Sequence, residues 1–255
     1  MIACCVMQLS SPPNHYTQRW FSTFLGRVDS SIVANEMSFL ESVIPRATFR
    51  LVLDVCCGVG RHALPLSTAG YSVVAIDLSE SALAVLGRAE RDGNGPLVVR
   101  GDMRLLPIRS ASVDAIINMW QSFGQFDSVT NRLVLAEWAR ALRPRGQLVI
   151  DLYNRAFHEQ ASGVRNIVRD EIDISEARTV ESGRMSVTLT YRARTIHDDE
   201  SKSDRFEWQL YSPEELAAEA ASAGLELERV CTGFDDRHPP TTESPRMQAV
   251  FVRAD

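Results

Sequence analysis

The stretch that most restricts the fold is LVLDVCCGVGRH at residues 51–62. Its apolar start is typical of a strand buried on both faces of a parallel sheet. The chain then turns through Gly58 and Gly60 and enters a helix expected over residues 61–68. Glycines allow a sharp turn and a close approach to a ligand, and the free N–H groups of a helix start point at the same place. This order of strand, glycine turn and helix predicts a nucleotide-type ligand site in an α/β fold.

The residue that closes the strand indicates the chemistry of the ligand. A dinucleotide site would carry a third glycine where this chain has Ala63, and alanine still permits close packing, so that position decides little. Asp54 is more informative, because a carboxylate there repels a pyrophosphate and suits a positively charged ligand. Residues 54–60, D-V-C-C-G-V-G, resemble the [D/E]-x-G-x-G-x-G motif of class I S-adenosylmethionine (SAM)-dependent methyltransferases, with Cys56 at the first glycine. SAM carries a sulfonium and an ammonium, and no phosphate.

Two more acidic residues follow at the ends of the next two predicted strands. Asp77 ends the strand expected over residues 71–77, where a carboxylate can accept hydrogen bonds from both ribose hydroxyls; a helix N-cap is its simpler role. Asp102 follows the strand over residues 97–100, and the resemblance implies that it binds the adenine amino group. The cofactor-binding residues that the resemblance implies are Asp54, Cys56, Gly58, Gly60, Asp77, Leu78, Asp102, Met103 and Met119.

The loop after the fourth predicted strand and the N-terminal helices supply the acceptor-side candidates. That strand covers residues 115–119, and the loop that follows should lie beside the reactive methyl group, since ligands of open α/β sheets bind there. Two helical segments precede the first strand, one starting at Asn14 and one over residues 30–44; they either pack on the sheet or also form a lid. The substrate-binding candidates are Tyr16, Trp20, Trp120, Gln121 and Ser122, with core packing as the other interpretation of Trp120.

The C-terminal half predicts an insertion and the end of the sheet. Period-two alternation within residues 164–211 predicts three or four antiparallel strands, with turns near Ser182–Gly183 and over residues 198–204. The role of this insertion is open between a structural brace, a dimer surface and a cover for the substrate. LRPRGQL at residues 142–148 resembles the L-[RK]-P-G-G segment of the same family, and a fifth strand is expected over residues 147–153. Ser212, followed by Pro213 and two glutamates, predicts the start of a helix. Strands over residues 225–234 and 247–253 resemble the family's final antiparallel hairpin.

The predicted fold class is therefore α/β, a Rossmann-like class I methyltransferase fold. It has a seven-stranded, mostly parallel sheet with an antiparallel last strand, a small antiparallel β-insertion and N-terminal helices. The expected parts are an N-terminal helical lid (1–45), the SAM-binding core (46–160), the β-insertion (161–211) and the C-terminal part of the core (212–255). The lid and the insertion resemble glycine and sarcosine N-methyltransferases more loosely than the core resembles the wider family.

Charge and composition narrow the function. The net charge of −6 disfavours a nucleic-acid substrate. No apolar run is long enough to cross a bilayer. The five cysteines lack the spacing of a zinc site and suit reduced thiols in the cytoplasm. We expect a metal-independent N- or O-methyltransferase of a small molecule that uses SAM and releases S-adenosylhomocysteine, with a homodimer as one candidate assembly. His238 is a weak candidate for a general base. The alternatives are an NAD(P)-dependent oxidoreductase, which Asp54 and Asp102 disfavour, and a non-catalytic SAM-binding module.

Overall fold

The computed structural model describes residues 11–25, 28–90, 95–194 and 202–255. The helices are α1 (Gln18–Trp20), which continues as a π-helical turn (Phe21–Leu25), α2 (Ser30–Val43), α3 (Ala63–Thr68), α4 (Glu80–Glu90), α5 (Ser128–Ala141), α6 (Arg155–His158) and α7 (Pro213–Ala221). The strands are β1 (Leu51–Val55), β2 (Ser72–Asp77), β3 (Leu97–Arg100), β4 (Val113–Asn118), β5 (Leu142–Tyr153), β6 (Gly163–Arg169), β7 (Ile172–Glu181), β8 (Arg184–Ala193), β9 (Lys202–Gln209), β10 (Leu225–Cys231) and β11 (Arg246–Arg253).

Seven strands form one sheet in the order β10-β11-β5-β4-β1-β2-β3. Strands β1 to β5 pair in parallel, and β11 lies antiparallel to both of its neighbours, β5 and β10. Consecutive side chains of the central strand β1 enter opposite cores: Leu53 packs with residues of α5 and α7, and Val52 packs with residues of α2, α3 and α4. A strand covered on both faces is apolar along most of its length; β1 is apolar except for Asp54, which is why its sequence predicted this position. The predicted fold class is confirmed.

The predicted insertion is a second sheet, antiparallel throughout, in the order β6-β7-β8-β9. The turn at Ser182–Gly183 joins β7 to β8 as expected. The other predicted turn, over residues 198–204, is wrong in its last part. Lys202 pairs with Tyr191, and Asp204 pairs with Leu189, so these residues already belong to the ladder of β9 with β8. Residues 198–201 lie outside the described residues.

The N-terminal segment differs from the single helix expected from Asn14. Residues 11–17 form no helix or strand, and helical structure begins only at Gln18. The Asn14 side chain instead pairs with the backbone of Glu207, donating to its carbonyl at 2.9 Å and accepting from its N–H at 2.7 Å. Such side-chain bonds to a distant backbone compete with local helix formation. The second predicted helix agrees with α2, which Asp29 caps by accepting from the N–H of Ser31 at 2.8 Å.

Two boundaries near the site also differ from the sequence prediction. α3 begins at Ala63, because residues 58–62 are still in turns. β5 begins at Leu142 instead of residue 147, and its pairing with β4 jumps from Val113–Leu142 to Ala115–Gln147. Within this irregular part Arg145 has a φ of 62°, which is a left-handed backbone conformation. The family segment has glycine at this position, and glycine adopts this conformation without steric cost.

Candidate active site

A cavity of about 420 Å³ lies at the carboxyl ends of β1, β2, β3 and β4. The N-terminal segment, the glycine turn and the loop after β4 complete its walls. Twelve of the residues singled out from the sequence line it: Tyr16, Trp20, Asp54, Cys56, Gly58, Asp77, Leu78, Asp102, Met103, Met119, Trp120 and Ser122. The cofactor and acceptor candidates therefore share one enclosure, although they come from separate parts of the chain.

Gly60 lies outside this lining and has a packing role. A Cβ on Gly60 would lie 2.3 Å from Cδ1 of Leu86 in α4, and the residue has a φ of 85°. Gly58, with a φ of 54°, would place a Cβ 3.7 Å from Phe21 at the cavity wall. Gly60 therefore lets the turn pack against α4, and its contact with the cofactor stays a prediction.

Gln121 and His238 also lie outside the lining. Gln121 is buried, and its backbone carbonyl accepts from the indole N–H of Trp208 at 2.8 Å. The His238 side chain is 66% exposed, and its Nδ1 lies 3.2 Å from a carboxylate oxygen of Asp235. The His238 side chain thus does not line the cavity, and its role as a general base stays a prediction.

Asp54 is the most buried carboxylate of the cavity wall. It is 2% exposed, and its Oδ2 has no hydrogen-bond partner among the described residues. Burial raises the pKa of Asp54 to about 7, and the charge of Asp77 adds to the rise. A buried oxygen without a partner is costly, so a cationic ligand in the cavity would stabilise its ionised form.

Asp77 joins the glycine turn to the start of α4. One carboxylate oxygen accepts from the N–H of Gly58 at 2.9 Å, and the other accepts from the N–H of Ser79 at 2.8 Å. Burial raises the pKa of Asp77, while these backbone bonds oppose the rise. The bond to Ser79 resembles the cap that the sequence suggested, and the ribose contact stays a prediction.

Asp102 has a partner that the sequence analysis missed. Arg104 Nε lies 3.0 and 3.2 Å from the two carboxylate oxygens of Asp102, and Nη2 lies 2.7 Å from Oδ2. The Arg104 guanidinium also lies 4.6 Å over the ring of Phe126, another residue of the cavity wall. Two-pronged pairing holds the carboxylate in one orientation, which suits a recognition role at this end of the cavity.

A buried charge cluster, also missed, borders the opposite end of the cavity. Glu36 of α2 is fully buried, and its carboxylate accepts from Arg61 at 3.0 Å and from the indole N–H of Trp120 at 2.9 Å. His62 Nε2 lies 2.9 Å from the same carboxylate. Burial lowers the pKa of His62, which favours the neutral imidazole, and lowers that of Arg61 to about 10, where the guanidinium stays charged at neutral pH.

The Trp120 ring connects this cluster to a second ion pair. Arg61 lies 3.8 Å from the centre of the ring, and Arg246 lies 5.4 Å from it. Arg246 pairs with the fully buried Asp151, which also accepts from the Trp120 backbone N–H at 2.9 Å. Two carboxylates and two guanidiniums therefore balance in charge around one aromatic ring, as buried ions require.

Local signals for these residues were present but ambiguous. Arg61 and His62 follow the glycine turn directly, and Glu36 is an acidic residue between apolar residues of a predicted helix. The residues of the cluster come from α2, from the glycine turn, from the loop after β4 and from strand β11. No local sequence pattern specifies which of them pair. Gln125 was missed as well: it lines the cavity, is 6% exposed, and its Oε1 has no partner among the described residues.

Comparison with known proteins agrees with this geometry. Residues 52–146 match the family described as a methyltransferase domain. A glycine/sarcosine N-methyltransferase of Halorhodospira halochloris is 30% identical over 149 residues, which are 55% of this chain and 56% of that protein. A cypemycin N-terminal methyltransferase of Streptomyces sp is 28% identical over 215 residues, 80% of this chain and 83% of that protein. The chain spans about half the length, or less, of the first curated relatives that it matches.

Solved structures show the same fold. A SAM-dependent methyltransferase from Clostridium acetobutylicum superposes with a TM-score of 0.78 at 17% identity, over 93% of this chain and 97% of that one. The CcbJ methyltransferase from Streptomyces caelestis gives 0.75 at 21% identity, over 88% and 90%. These identities establish the fold alone. Together with the family match, they show that residues 52–146 form a methyltransferase domain within this fold, and its cofactor is SAM.

Proposed function

We propose that this protein transfers the methyl group of SAM to a nitrogen atom of a small-molecule amine. The observation that carries the proposal is a single cavity in which three carboxylates, Asp54, Asp77 and Asp102, face a wall of aromatic side chains. Carboxylates suit the hydroxyls, amino groups and positive charge of SAM, which supplies an activated methyl on its sulfonium. The aromatic wall suits an acceptor that becomes positively charged during transfer.

The cofactor end of the cavity fits SAM in its donor and acceptor groups. We assign Asp77 and Asp102 to the adenosine part and Asp54 to the ammonium of the methionine part. Arg61 lines the same cavity, and its Nη1 is buried without a hydrogen-bond partner among the described residues. A buried guanidinium donor with no partner fits the methionine carboxylate. This assignment satisfies both orphaned groups, Asp54 Oδ2 and Arg61 Nη1.

The acceptor end is aromatic and polar. Tyr16 and Trp20 meet edge to face with ring centres 4.7 Å apart, and Phe21 lies 5.5 Å from Trp20. Burial raises the pKa of the Tyr16 phenol, so the hydroxyl stays protonated at neutral pH. Electron-rich ring faces stabilise a neighbouring cation. Methyl transfer to an amine produces such a cation, whereas transfer to a hydroxyl requires that a proton leave.

The placement of bases also favours nitrogen. A neutral amine needs alignment and desolvation, whereas a hydroxyl acceptor usually needs a base. Two histidines, His15 and His62, line the cavity; the buried His62 already shares its Nε2 with Glu36, and His15 is exposed. The names of several relatives and structural neighbours point the same way, among them three glycine/sarcosine N-methyltransferases and the sugar N-methyltransferase KedS8. An oxygen acceptor is the second candidate.

The remaining expectations stay predictions. The described residues contain no group of three or more metal-binding side chains, and none of their helices is long and apolar enough to cross a membrane. The net charge of −6 supports a small molecule over a nucleic acid as the acceptor. Metal independence, a cytoplasmic location and a homodimer are parts of the proposal that await measurement.

The first test combines binding with turnover. S-adenosylhomocysteine should bind in isothermal titration, while NADH and NADPH should not; the reverse result would favour an oxidoreductase. SAM with a labelled methyl group is then incubated with matched amines and alcohols of the same carbon skeleton. Label transfer to amines supports the proposal, transfer to alcohols alone supports the oxygen alternative, and cofactor binding without any transfer supports a non-catalytic module.

The assigned adenosine contacts have a separate test. Asp77→Ala and Asp102→Ala should each weaken S-adenosylhomocysteine binding about tenfold to a hundredfold, because each removes charge-assisted hydrogen bonds worth about 1.5–3 kcal/mol. Asp173→Ala is the control, since this carboxylate pairs with Arg194 on the β-insertion, away from the cavity. Unchanged affinity in both cavity variants would remove the assignment while leaving the cofactor class intact.

A further inference from the structure

The loop after β4 begins with a strained turn. Trp120 and Gln121 have φ values of 60° and 58°, so two consecutive residues other than glycine adopt the left-handed backbone. This conformation is unfavourable for L-residues and persists only where surrounding contacts hold it. Trp120 and Ser122, on either side of Gln121, line the cavity. The strain therefore lies in the wall that faces the acceptor.

The end of β9, in the β-insertion, holds this loop at two points. The indole N–H of Trp208 donates to the Gln121 carbonyl at 2.8 Å. The backbone N–H of Gln209 donates to the Gly124 carbonyl at 2.7 Å. A Cβ on Gly124 would lie 2.7 Å from the Gln209 carbonyl oxygen, so glycine is required for this approach. Trp208 itself is buried and lies outside the cavity lining.

The same strand end also holds the N-terminal wall. Its residue Glu207 forms two backbone hydrogen bonds with the side chain of Asn14, which lines the cavity and is 5% exposed. Tyr16, two residues further along the chain, stacks on Phe206 of β9 with ring centres 5.1 Å apart. Residues 206–209 thus contact the two walls that carry the acceptor-side aromatic residues.

We propose that residues 206–209 of β9 position the acceptor-side walls, and that Trp208 is the positioning residue of the strained turn. The proposal rests on the proposed function, because it gives the β-insertion a part in orienting the acceptor. Apart from Met119, the cofactor contacts that we assign come from β1, β2, β3 and the glycine turn, and Trp208 holds none of these by a hydrogen bond in the described structure. Loss of its indole N–H should therefore disturb the acceptor and spare the cofactor.

The test replaces each of two buried tryptophans by phenylalanine. Trp208→Phe keeps a ring against Tyr153 and Phe206 but removes the donor to Gln121. Trp138→Phe is the matched control, because its indole N–H donates at 3.2 Å to the carbonyl of Met103, on the cofactor side. A typical buried hydrogen bond corresponds to about a threefold to tenfold change in an equilibrium or rate constant.

We expect Trp208→Phe to lower kcat/KM for the acceptor about threefold to tenfold, with the dissociation constant of S-adenosylhomocysteine unchanged within about twofold. Trp138→Phe should instead weaken S-adenosylhomocysteine binding more than it lowers kcat/KM for the acceptor. Wild-type acceptor kinetics in a folded Trp208→Phe would overturn the proposal. Equal losses in cofactor and acceptor parameters would also overturn it, since they indicate a general brace.

A second measurement does not depend on any acceptor. Amide hydrogen exchange, followed by mass spectrometry on peptides that cover residues 119–126, should speed up more in Trp208→Phe than in Trp138→Phe, which keeps a ring against Phe123. If no acceptor is methylated by the wild-type protein, the proposed function fails, and the exchange result alone decides whether β9 holds the turn. If Trp208→Phe does not fold, Asn14→Asp is used instead, and amide hydrogen exchange is followed on peptides that cover the N-terminal wall. Unchanged exchange in the folded variant contradicts the inference.

Discussion

The buried carboxylate of Asp54 makes cofactor binding depend on pH in a calculable way. Burial and the charge of Asp77 raise its pKa to about 7, and its buried Oδ2 has no hydrogen-bond partner among the described residues. A ligand ammonium beside this oxygen lowers the pKa, so the cofactor binds the ionised form. With a pKa of about 7, the ionised fraction is about 3% at pH 5.5 and about 75% at pH 7.5. Affinity should therefore rise about 25-fold across this interval.

The assay is isothermal titration with S-adenosylhomocysteine at several pH values from 5.5 to 7.5. Asp54→Asn is the control, because it preserves the shape of the side chain and removes its titration. We expect the variant to bind weakly throughout, with less than about a threefold change across the interval. A wild-type affinity that is flat with pH, or a variant that keeps the 25-fold rise, would refute the assignment of Asp54.

The raised pKa of Asp54 also makes the free energy of unfolding of the ligand-free protein depend on pH. The folded pKa of Asp54 lies above its unfolded value of about 3.9, so the folded state binds the proton more tightly. The resulting stabilisation is present below about pH 4 and is lost as the pH rises through about 7, amounting to at most about 4 kcal/mol. Denaturant unfolding of wild type and Asp54→Asn over this range isolates the contribution, and parallel profiles would contradict it.

Two further predictions concern packing and charge. Gly60→Ala should lower the free energy of unfolding by about 2–4 kcal/mol, because it adds left-handed strain to an overlap with Leu86. Gly87→Ala is the control, because Gly87 has open space around it; this change should lower the free energy of unfolding by less than about 0.5 kcal/mol or raise it. Equal effects in denaturant unfolding would exclude the packing role. Glu36→Gln should destabilise by about 3 kcal/mol, since it leaves Arg61 buried without its counter-charge, and wild-type stability of this variant would show that Arg61 finds another partner.

The central sheet could be predicted from the sequence because the residues that specify each strand and turn are neighbours in the chain. Residues 51–55 are apolar except for Asp54, and the glycine turn follows at once, so strand type and ligand edge are determined together. Asp77 and Asp102 follow the same rule, since the carboxyl ends of parallel strands meet at one edge. Local chemistry also predicted the start of α7, where Ser212 and Glu215 form a capping box.

The functions of individual glycines and polar side chains needed the tertiary structure. Gly58 and Gly60 look equivalent in the sequence, yet one faces the cavity and the other faces Leu86 of α4. Gln121 and Ser122 are neighbours in one loop, but the left-handed backbone at Gln121 directs its carbonyl to Trp208 and leaves Ser122 in the cavity wall. Which face a side chain takes in an irregular turn depends on backbone angles that distant contacts impose.

The sequence by itself determined the sheet, the glycine turn and the acidic residues at the strand ends, because each follows from periodicity or from turn chemistry within a few residues. Only the tertiary structure decided that Glu36 neutralises Arg61, that Asp151 and Arg246 enclose the loop of Trp120, and that β9 holds both acceptor-side walls. Buried charges must find partners of opposite sign wherever the fold brings them, and that pairing depends on packing between elements far apart in the chain.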